Sequence, residues 1–180
     1  KGTATVQFVI VPREVGIEAV TVSDKIYDGT ADAEITSNGS ITNLVNGDDV
    51  TVVAGKANFS DKNVGTDKTV AFSGFALDGD DAANYRLAGQ PASVTADISV
   101  KEITINGTAV KNARVYDGTT DAEITDAGTP SENYDGENLT IAAGNASYEN
   151  KNVGTGKKVT FSRFALAGDA AANYRLIEQP

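Results

Sequence analysis

The chain repeats itself with a period of 88 to 89 residues, and this restricts the architectures open to it more than any single motif does. Tyr27-Asp28-Gly29-Thr30 returns as Tyr116-Asp117-Gly118-Thr119, and Lys62-Asn63-Val64-Gly65-Thr66 returns as Lys151-Asn152-Val153-Gly154-Thr155. Ala82-Ala83-Asn84-Tyr85-Arg86-Leu87 returns as Ala171-Ala172-Asn173-Tyr174-Arg175-Leu176. From Tyr27 to Pro91, 37 of 65 positions are identical to their partners 89 residues on, without a gap. Self-similarity of this kind marks an array of structural units, in which function comes from spacing and surface more often than from one active site.

The frame also divides the chain. Pro12-Arg13-Glu14-Val15 aligns with Val100-Lys101-Glu102-Ile103 at an offset of 88, and one extra residue near Gly107 accounts for the offset of 89 beyond it. Residues 12–100 are therefore expected to be a first repeat, and residues 101–180 a second repeat lacking its last strand. Residues 4–11 align with 92–99, which makes 1–11 the expected closing strand of a preceding module and the chain a fragment of a longer array. An orphan strand at one end and an open sheet edge at the other invite strand addition between molecules, end to end, as a consequence of the cut.

Composition removes whole classes of chemistry. The 180 residues contain no Cys, His, Met or Trp, so thiol and imidazole catalysis and the usual nitrogen and sulfur ligands of zinc are excluded. A net charge of -10 argues against nucleic acid or an anionic membrane as the main partner, since both require clustered Lys and Arg. No apolar run approaches the roughly 18 residues of a transmembrane helix.

The remaining pattern is strand and turn. Strands are expected at 6–11, 19–26, 50–53, 69–75 and 92–98, and in the second repeat at 103–105, 139–142 and 158–164, separated by Asp-Gly, Asn-Gly and Gly-Asp turns. Only 80–84 and 169–173 suggest helix, about one turn each. The expected core consists of positions apolar in both repeats, among them Ile26/Val115, Val50/Leu139, Val64/Val153, Val70/Val159, Phe72/Phe161 and Leu87/Leu176. The fold class is all-β: two tandem small sandwich-like modules in an elongated rod, with β-grasp-like modules as the alternative. No Gly, Ser or Pro-rich spacer separates 92–99 from 101–105, so the joint should be stiff.

Tyr27-Asp28-Gly29-Thr30, Gly47-Asp48-Asp49-Val50, the stretch from Asp61 to Thr66, Ser73-Gly74 and Ala83-Asn84-Tyr85 together resemble the YDG type of repeat domain, which is related to the so-called MBG repeats. The second repeat carries the same blocks with Glu137-Asn138 for the acidic pair, Asn150 for Asp61 and Arg163 for Gly74. The resemblance implies tandem modules of secreted bacterial surface proteins and adhesins. It brings an extracellular location and no catalytic residues.

Against that background, the function expected is a non-catalytic stalk or spacer in a bacterial cell-surface adhesin. The alternative is weak, multivalent binding of carbohydrate or mucin. Tyr27, Asp28, Tyr116, Asp117 and Tyr134 are the candidate ligand-binding residues, because aromatic faces stack on sugars and carboxylates accept hydroxyl hydrogen bonds; the competing reading of each YDG block is a tight turn with glycine at positive φ. Asp78, Asp80 and Asp81 are candidate calcium ligands, although Asp78 and Asp81 become Ala167 and Ala170 in the second repeat. No cofactor is otherwise expected. The partners expected are adjacent repeats of the same protein and host or matrix glycans, with neither nucleic acid nor membrane insertion. Lys62/Lys151 and Lys68/Lys157, the lysines present in both repeats, are the only candidates for a covalent Lys crosslink.

Overall fold

The computed structural model describes Gly2 and residues 6–180 and is all-β, with two single-turn 3-10 helices at Ala82–Asn84 and Ala171–Asn173. Among the described residues no helix is long and apolar enough to cross a membrane. The chain forms two compact units. Unit 1 comprises Lys1–Lys25 and Thr30–Ile98, and unit 2 comprises Ile26–Gly29 and Ser99–Pro180. The assignment of Ile26–Gly29 to unit 2 departs from the repeat frame, which keeps the first YDG block inside the first repeat.

Unit 1 is built from β1 (Arg13–Val22), β2 (Lys25–Ile26), β3 (Asp32–Ala33), β4 (Ile35–Thr42), β5 (Thr51–Val53), β6 (Lys56–Phe59), β7 (Gly65–Ser73), β8 (Ala76–Asp78), β9 (Tyr85–Leu87) and β10 (Val94–Ser99). One sheet has the order β4-β1-β9, with β4 antiparallel and β9 parallel to β1. A second has the order β2-β10-β7-β6-β3, and β5 pairs with β8 alone. Strand β1 begins with the alternation of a half-buried strand, Val15 and Ile17 facing in, and then shifts phase so that Val20 is the next buried side chain. The cause lies at Ala19, which adopts φ 58° opposite Gly39 at φ 75°. A Cβ on Gly39 would lie 2.2 Å from the Glu18 carbonyl oxygen, so only glycine fits there. The core of this sheet gathers Val15, Val50 and Tyr85, with Ile41, Leu44, Leu77 and Ala82 packed against them.

Strand β10 closes the larger sheet. It runs antiparallel to β7, with Val94 opposite Val70, Thr95 opposite Thr69 and Ile98 opposite Gly65, and a bulge between Ala96 and Ile98. Ala96 and Ile98 are buried along with Phe59, Val70, Phe72 and Phe75, the last two rings meeting edge to face at 5.7 Å. On its other side the Asp97 N–H donates to Asp24 Oδ1 at 2.8 Å.

Unit 2 repeats the plan in shorter pieces: β11 (Lys101–Ile103), β12 (Ile105–Asn106), β13 (Ala109–Val110), β14 (Ile124–Asp126), β15 (Thr129–Pro130), β16 (Thr140–Ala142), β17 (Asn145–Tyr148), β18 (Val159–Ser162), β19 (Ala165–Ala167) and β20 (Tyr174–Leu176). Parallel β11 and β20 reproduce β1 and β9, β17 and β18 reproduce the hairpin of β6 and β7, and β16 and β19 reproduce β5 and β8. Gly107 and Gly128, at φ 78° and 84°, replace Ala19 and Gly39, and the strand equivalent to β1 is broken into β11, β12 and β13. Its core comprises Ile103, Ile105, Ala122, Leu139, Ala146, Phe164, Ala170 and Tyr174.

Several expectations are corrected. Of residues 1–11, the expected closing strand, Lys1, Thr3, Ala4 and Thr5 lie outside the described residues. Residues 6–11 form no strand in this chain, and Phe8 and Ile10 are 85% and 97% exposed. Ile26, Val115 and Val153, expected in the core, are exposed. For Ile26 the reason is the period of an extended chain: Tyr27 takes the inward position, so its neighbour points out.

Candidate functional site: a tyrosine and carboxylate cluster

The YDG block of the first repeat enters unit 2 as a peg. Gly29 adopts φ 78°, which turns the chain immediately after Tyr27, and the Tyr27 N–H donates to the Ser99 carbonyl at 2.8 Å. The Tyr27 side chain is only 1% exposed. Its ring meets Tyr134 edge to face at 5.8 Å and Tyr174 at 5.4 Å, the arrangement favoured by the ring quadrupole.

The polar ends of these rings converge on one carboxylate. Tyr27 Oη donates to Glu137 Oε1, and Tyr174 Oη donates to Glu137 Oε2 at 2.7 Å. A carboxylate accepts at both oxygens, so each phenol finds its own acceptor atom. Burial pushes the Tyr174 hydroxyl well above the ordinary tyrosine range, and donation to Glu137 raises it further. The Tyr134 hydroxyl completes the enclosure by donating to the Tyr27 carbonyl at 3.4 Å.

Unit 1 carries the same socket in outline. Tyr85 Oη donates to Asp48 Oδ2 at 2.5 Å and accepts from the Val45 N–H at 3.1 Å. The hydrogen bond to Asp48, followed by burial, raises the Tyr85 hydroxyl above its usual value. Val45, which stands where Tyr134 stands in unit 2, is 44% exposed.

The second YDG block has the same local turn with different surroundings. Gly118 sits at φ 81°, while Asp117 Oδ1 accepts from the Thr119 N–H and hydroxyl, both at 2.9 Å. Those bonds hold the Asp117 carboxyl below the usual carboxylate range, aided by Arg114. Arg114 bonds Asp117 Oδ2 at 2.8 Å and lies over the Tyr148 ring. Lys25 has the matching position in the first repeat, donating to the Thr30 carbonyl at 2.9 Å and lying over Phe59. Yet Tyr116 is 56% exposed.

Beside Tyr116 an open groove of about 490 Å³ runs between Arg114 and the 150–159 segment, with Tyr148 and Val153 in its walls. The equivalent space in unit 1 is where β10 lies, between β7 and Asp24.

Of the ligand-binding candidates, Tyr27 and Tyr134 share one cluster, Tyr27 offering no exposed ring face and Tyr134 being half-buried; Asp28 is exposed. Tyr116 and Asp117 sit elsewhere on unit 2, in a turn. Two of the three calcium candidates serve the backbone: Asp78 Oδ1 accepts from the Gly79 N–H at 2.9 Å, and Asp81 Oδ2 from the Asp49 N–H at 2.8 Å, while Asp80 is exposed. Among the described residues no group of three or more acidic side chains is arranged to hold an ion. Lys68 pairs with Asp61 at 2.8 Å, and Lys157 donates to Asn150 Oδ1 at 2.6 Å. Glu137 and Tyr174 were not singled out from the sequence as a pair. The signal was present: an acid at 48 and 137 recurs with a tyrosine 37 positions later in both repeats.

Two successive stretches, residues 11–96 and 99–180, match the model of one protein family, described as the YDG domain. Neither the curated proteins nor the solved structures contain a match to the chain.

Proposed function

The chain belongs to the YDG domain family, as two members in tandem, and on that premise we propose that it is a non-catalytic spacer in an extracellular bacterial surface protein, carrying an adhesive region away from the cell. The observation that carries this reading is that two members of the family follow one another directly along the chain, at residues 11–96 and 99–180. No Gly, Ser or Pro-rich spacer stands between the two matches in the sequence, as expected of a stalk built without flexible coil. The absence of Cys and His from the sequence, and the use of the half-buried carboxylate Glu137 as an acceptor for two phenols, also favour a structural protein.

A second reading, weak carbohydrate binding repeated along an array, draws on the exposed ring of Tyr116 beside the groove. Tandem repetition would raise the avidity of such a site through effective concentration. A glycan and mucin binding screen of this two-repeat chain beside a four-repeat version, with and without calcium, separates the two. A spacer gives no signal in any condition, while small-angle scattering shows the maximum dimension growing in proportion to repeat number. Binding that strengthens with repeat number, and is lost in Tyr116→Ala, would replace the spacer with the binding reading.

A further inference from the structure

An asparagine followed by glycine loses its side-chain amide readily, because glycine leaves its backbone nitrogen unshielded for attack on the preceding side chain. The chain has three such pairs, Asn38-Gly39, Asn46-Gly47 and Asn106-Gly107, and the fold treats them differently. Asn38 lies in β4 opposite Val20, and the Gly39 N–H donates to Ser37 Oγ at 3.2 Å. Asn106 lies in β12 opposite Thr129. Asn46 and Gly47 belong to no strand and are the exposed central pair of a reverse turn, closed by the Asp48 N–H on the Val45 carbonyl at 3.2 Å. A Cβ on Gly47 would meet no atom within 4 Å, so the space around its nitrogen is open. We propose that Asn46-Gly47 is a self-modification site, at which the protein converts its own asparagine to aspartate and isoaspartate and thereby loosens the tyrosine and carboxylate contact of unit 1.

The Gly47 backbone nitrogen bonds to Asn46 Cγ, the Cγ–Nδ2 bond breaks, and the side-chain nitrogen leaves as ammonia with the proton that the Gly47 nitrogen gives up. The product is a cyclic imide. Water then opens it, at Cγ to give aspartate or at the main-chain carbonyl carbon to give isoaspartate. No other reactant is consumed. Ring closure requires rotation about the Cα–C bond of the asparagine. Within a strand that rotation breaks ladder hydrogen bonds, which holds back Asn38 and Asn106; within an exposed turn it breaks none of them.

The turn also holds Tyr85. The Val45 N–H donates to Tyr85 Oη at 3.1 Å and Asp48 Oδ2 accepts from it at 2.5 Å, so the two ends of the turn grip one hydroxyl. Unit 2 shows what aspartate does at this place. Asp135-Gly136 forms the same turn, with the Glu137 N–H on the Tyr134 carbonyl at 3.2 Å and Glu137 accepting from Tyr174. Aspartate at 46 therefore keeps the contact. Isoaspartate routes the main chain through Cβ and lengthens the path from Val45 to Asp48, so the two bonds to Tyr85 no longer fit together. Asp135 reaches the same imide only by expelling water from a carboxyl group, a slower step, and unit 1 is changed first.

Ageing of the intact chain at neutral pH, followed by peptide mapping, tests the proposal. Fragmentation that separates aspartate from isoaspartate, together with methyl transfer by an isoaspartyl methyltransferase, reports the two products. Residue 46 should convert several-fold faster than residues 38 and 106 in the folded chain, and all three at similar rates in the chain unfolded in guanidinium. Equal rates in the folded chain, or earlier conversion at 38 or 106, overturn the proposal. Amide exchange over residues 45–49 should quicken in step with isoaspartate. It should stay slow in Asn46→Gln aged in the same way, and in freshly prepared Asn46→Asp. Asn46 is exposed, so both variants keep the fold. Exchange over 45–49 that is unchanged in chains rich in isoaspartate also overturns the proposal, because the contact to Tyr85 would then survive the modification. None of these outcomes depends on whether the array is a spacer or a binder.

Discussion

The stretch Lys-Asn-Val-Gly-Thr occurs in both repeats with two different structures. In unit 1, Gly65 and Thr66 open β7, a strand of nine residues paired with β10. In unit 2, none of the same five residues is in a strand, Val153 is 89% exposed, and the corresponding strand β18 has shrunk to four residues at Val159–Ser162. The five residues are identical, while the flanking Asp67 and Thr69 become Gly156 and Lys158 and β10 pairs with the strand of unit 1. Strand propensity alone cannot hold a backbone whose N–H and C=O groups have no partner; the adjacent strand decides how far the pairing runs.

The two YDG tyrosines give the same contrast at the level of one side chain. Tyr27 is enclosed by Tyr134, Tyr174 and Glu137, and Tyr116 is in solvent. The sharpest break of this comparison is Tyr27→Ala against Tyr116→Ala. The first should cost unit 2 about 3 to 5 kcal/mol, since it opens a cavity and takes one of two phenol donors from Glu137. The second should stay within about 0.5 kcal/mol. Chemical denaturation, with amide exchange to assign the loss to unit 2, reads both.

Ile98 and Ile10 form the next pair. Ile98→Ala in the closing strand should destabilise unit 1 by about 2 to 4 kcal/mol and shorten the protected part of β7. Ile10→Ala at low protein concentration should leave the denaturation midpoint unchanged. Equal effects would mean that residues 6–11 are already packed in the single chain.

Titration gives a smaller effect. The hydroxyl of Tyr174 is raised in the folded state, so the folded chain keeps a proton that the unfolded chain releases. The stabilisation is fully present below the unfolded tyrosine value of about 10 and is lost as pH rises through the folded value. Melting temperature should fall on that alkaline side in the native chain, and the slope should be shallower in Tyr174→Phe. A slope untouched by the substitution would remove Tyr174 from the account.

The smallest effect is expected at Asp61, whose carboxyl is held below its usual range by the Lys68 ammonium and by the Asn63 N–H. Its contribution is present above about pH 4 and is lost as pH falls through the lowered folded value. Asp61→Asn recreates the Asn150 of unit 2, where Lys157 still donates to the amide oxygen. The variant should lose the acid-side dependence of β6 and β7 with little change at neutral pH.

Much of the architecture was legible in the sequence. The repeat gave the tandem plan, and Val-Thr-Val-Val and the Val70/Phe72 alternation located β5 and β7. Strand β4 escaped, because Ile-Thr-Ser-Asn-Gly-Ser-Ile-Thr is polar with a central glycine. That glycine is there because β1 passes too close for a Cβ, a requirement set by the partner and invisible along one strand. The candidate site was read in parts: Tyr27 and Tyr134 were named, but for exposure, and Glu137 and Tyr174 were not named with them.

What the sequence determined by itself is local or periodic: the repeat, the turns at Gly29 and Gly118, the inward alternation, and the exclusion of thiol and imidazole chemistry. Family membership follows from the same repeated blocks. Only the tertiary structure decided which copy of an identical motif is buried. Tyr27 and Tyr116 share the same residues on their C-terminal side, and their fates separate because one has an acid and two rings around it. Burial is a property of what surrounds a residue, and residues 107 and more positions away in the chain supply it.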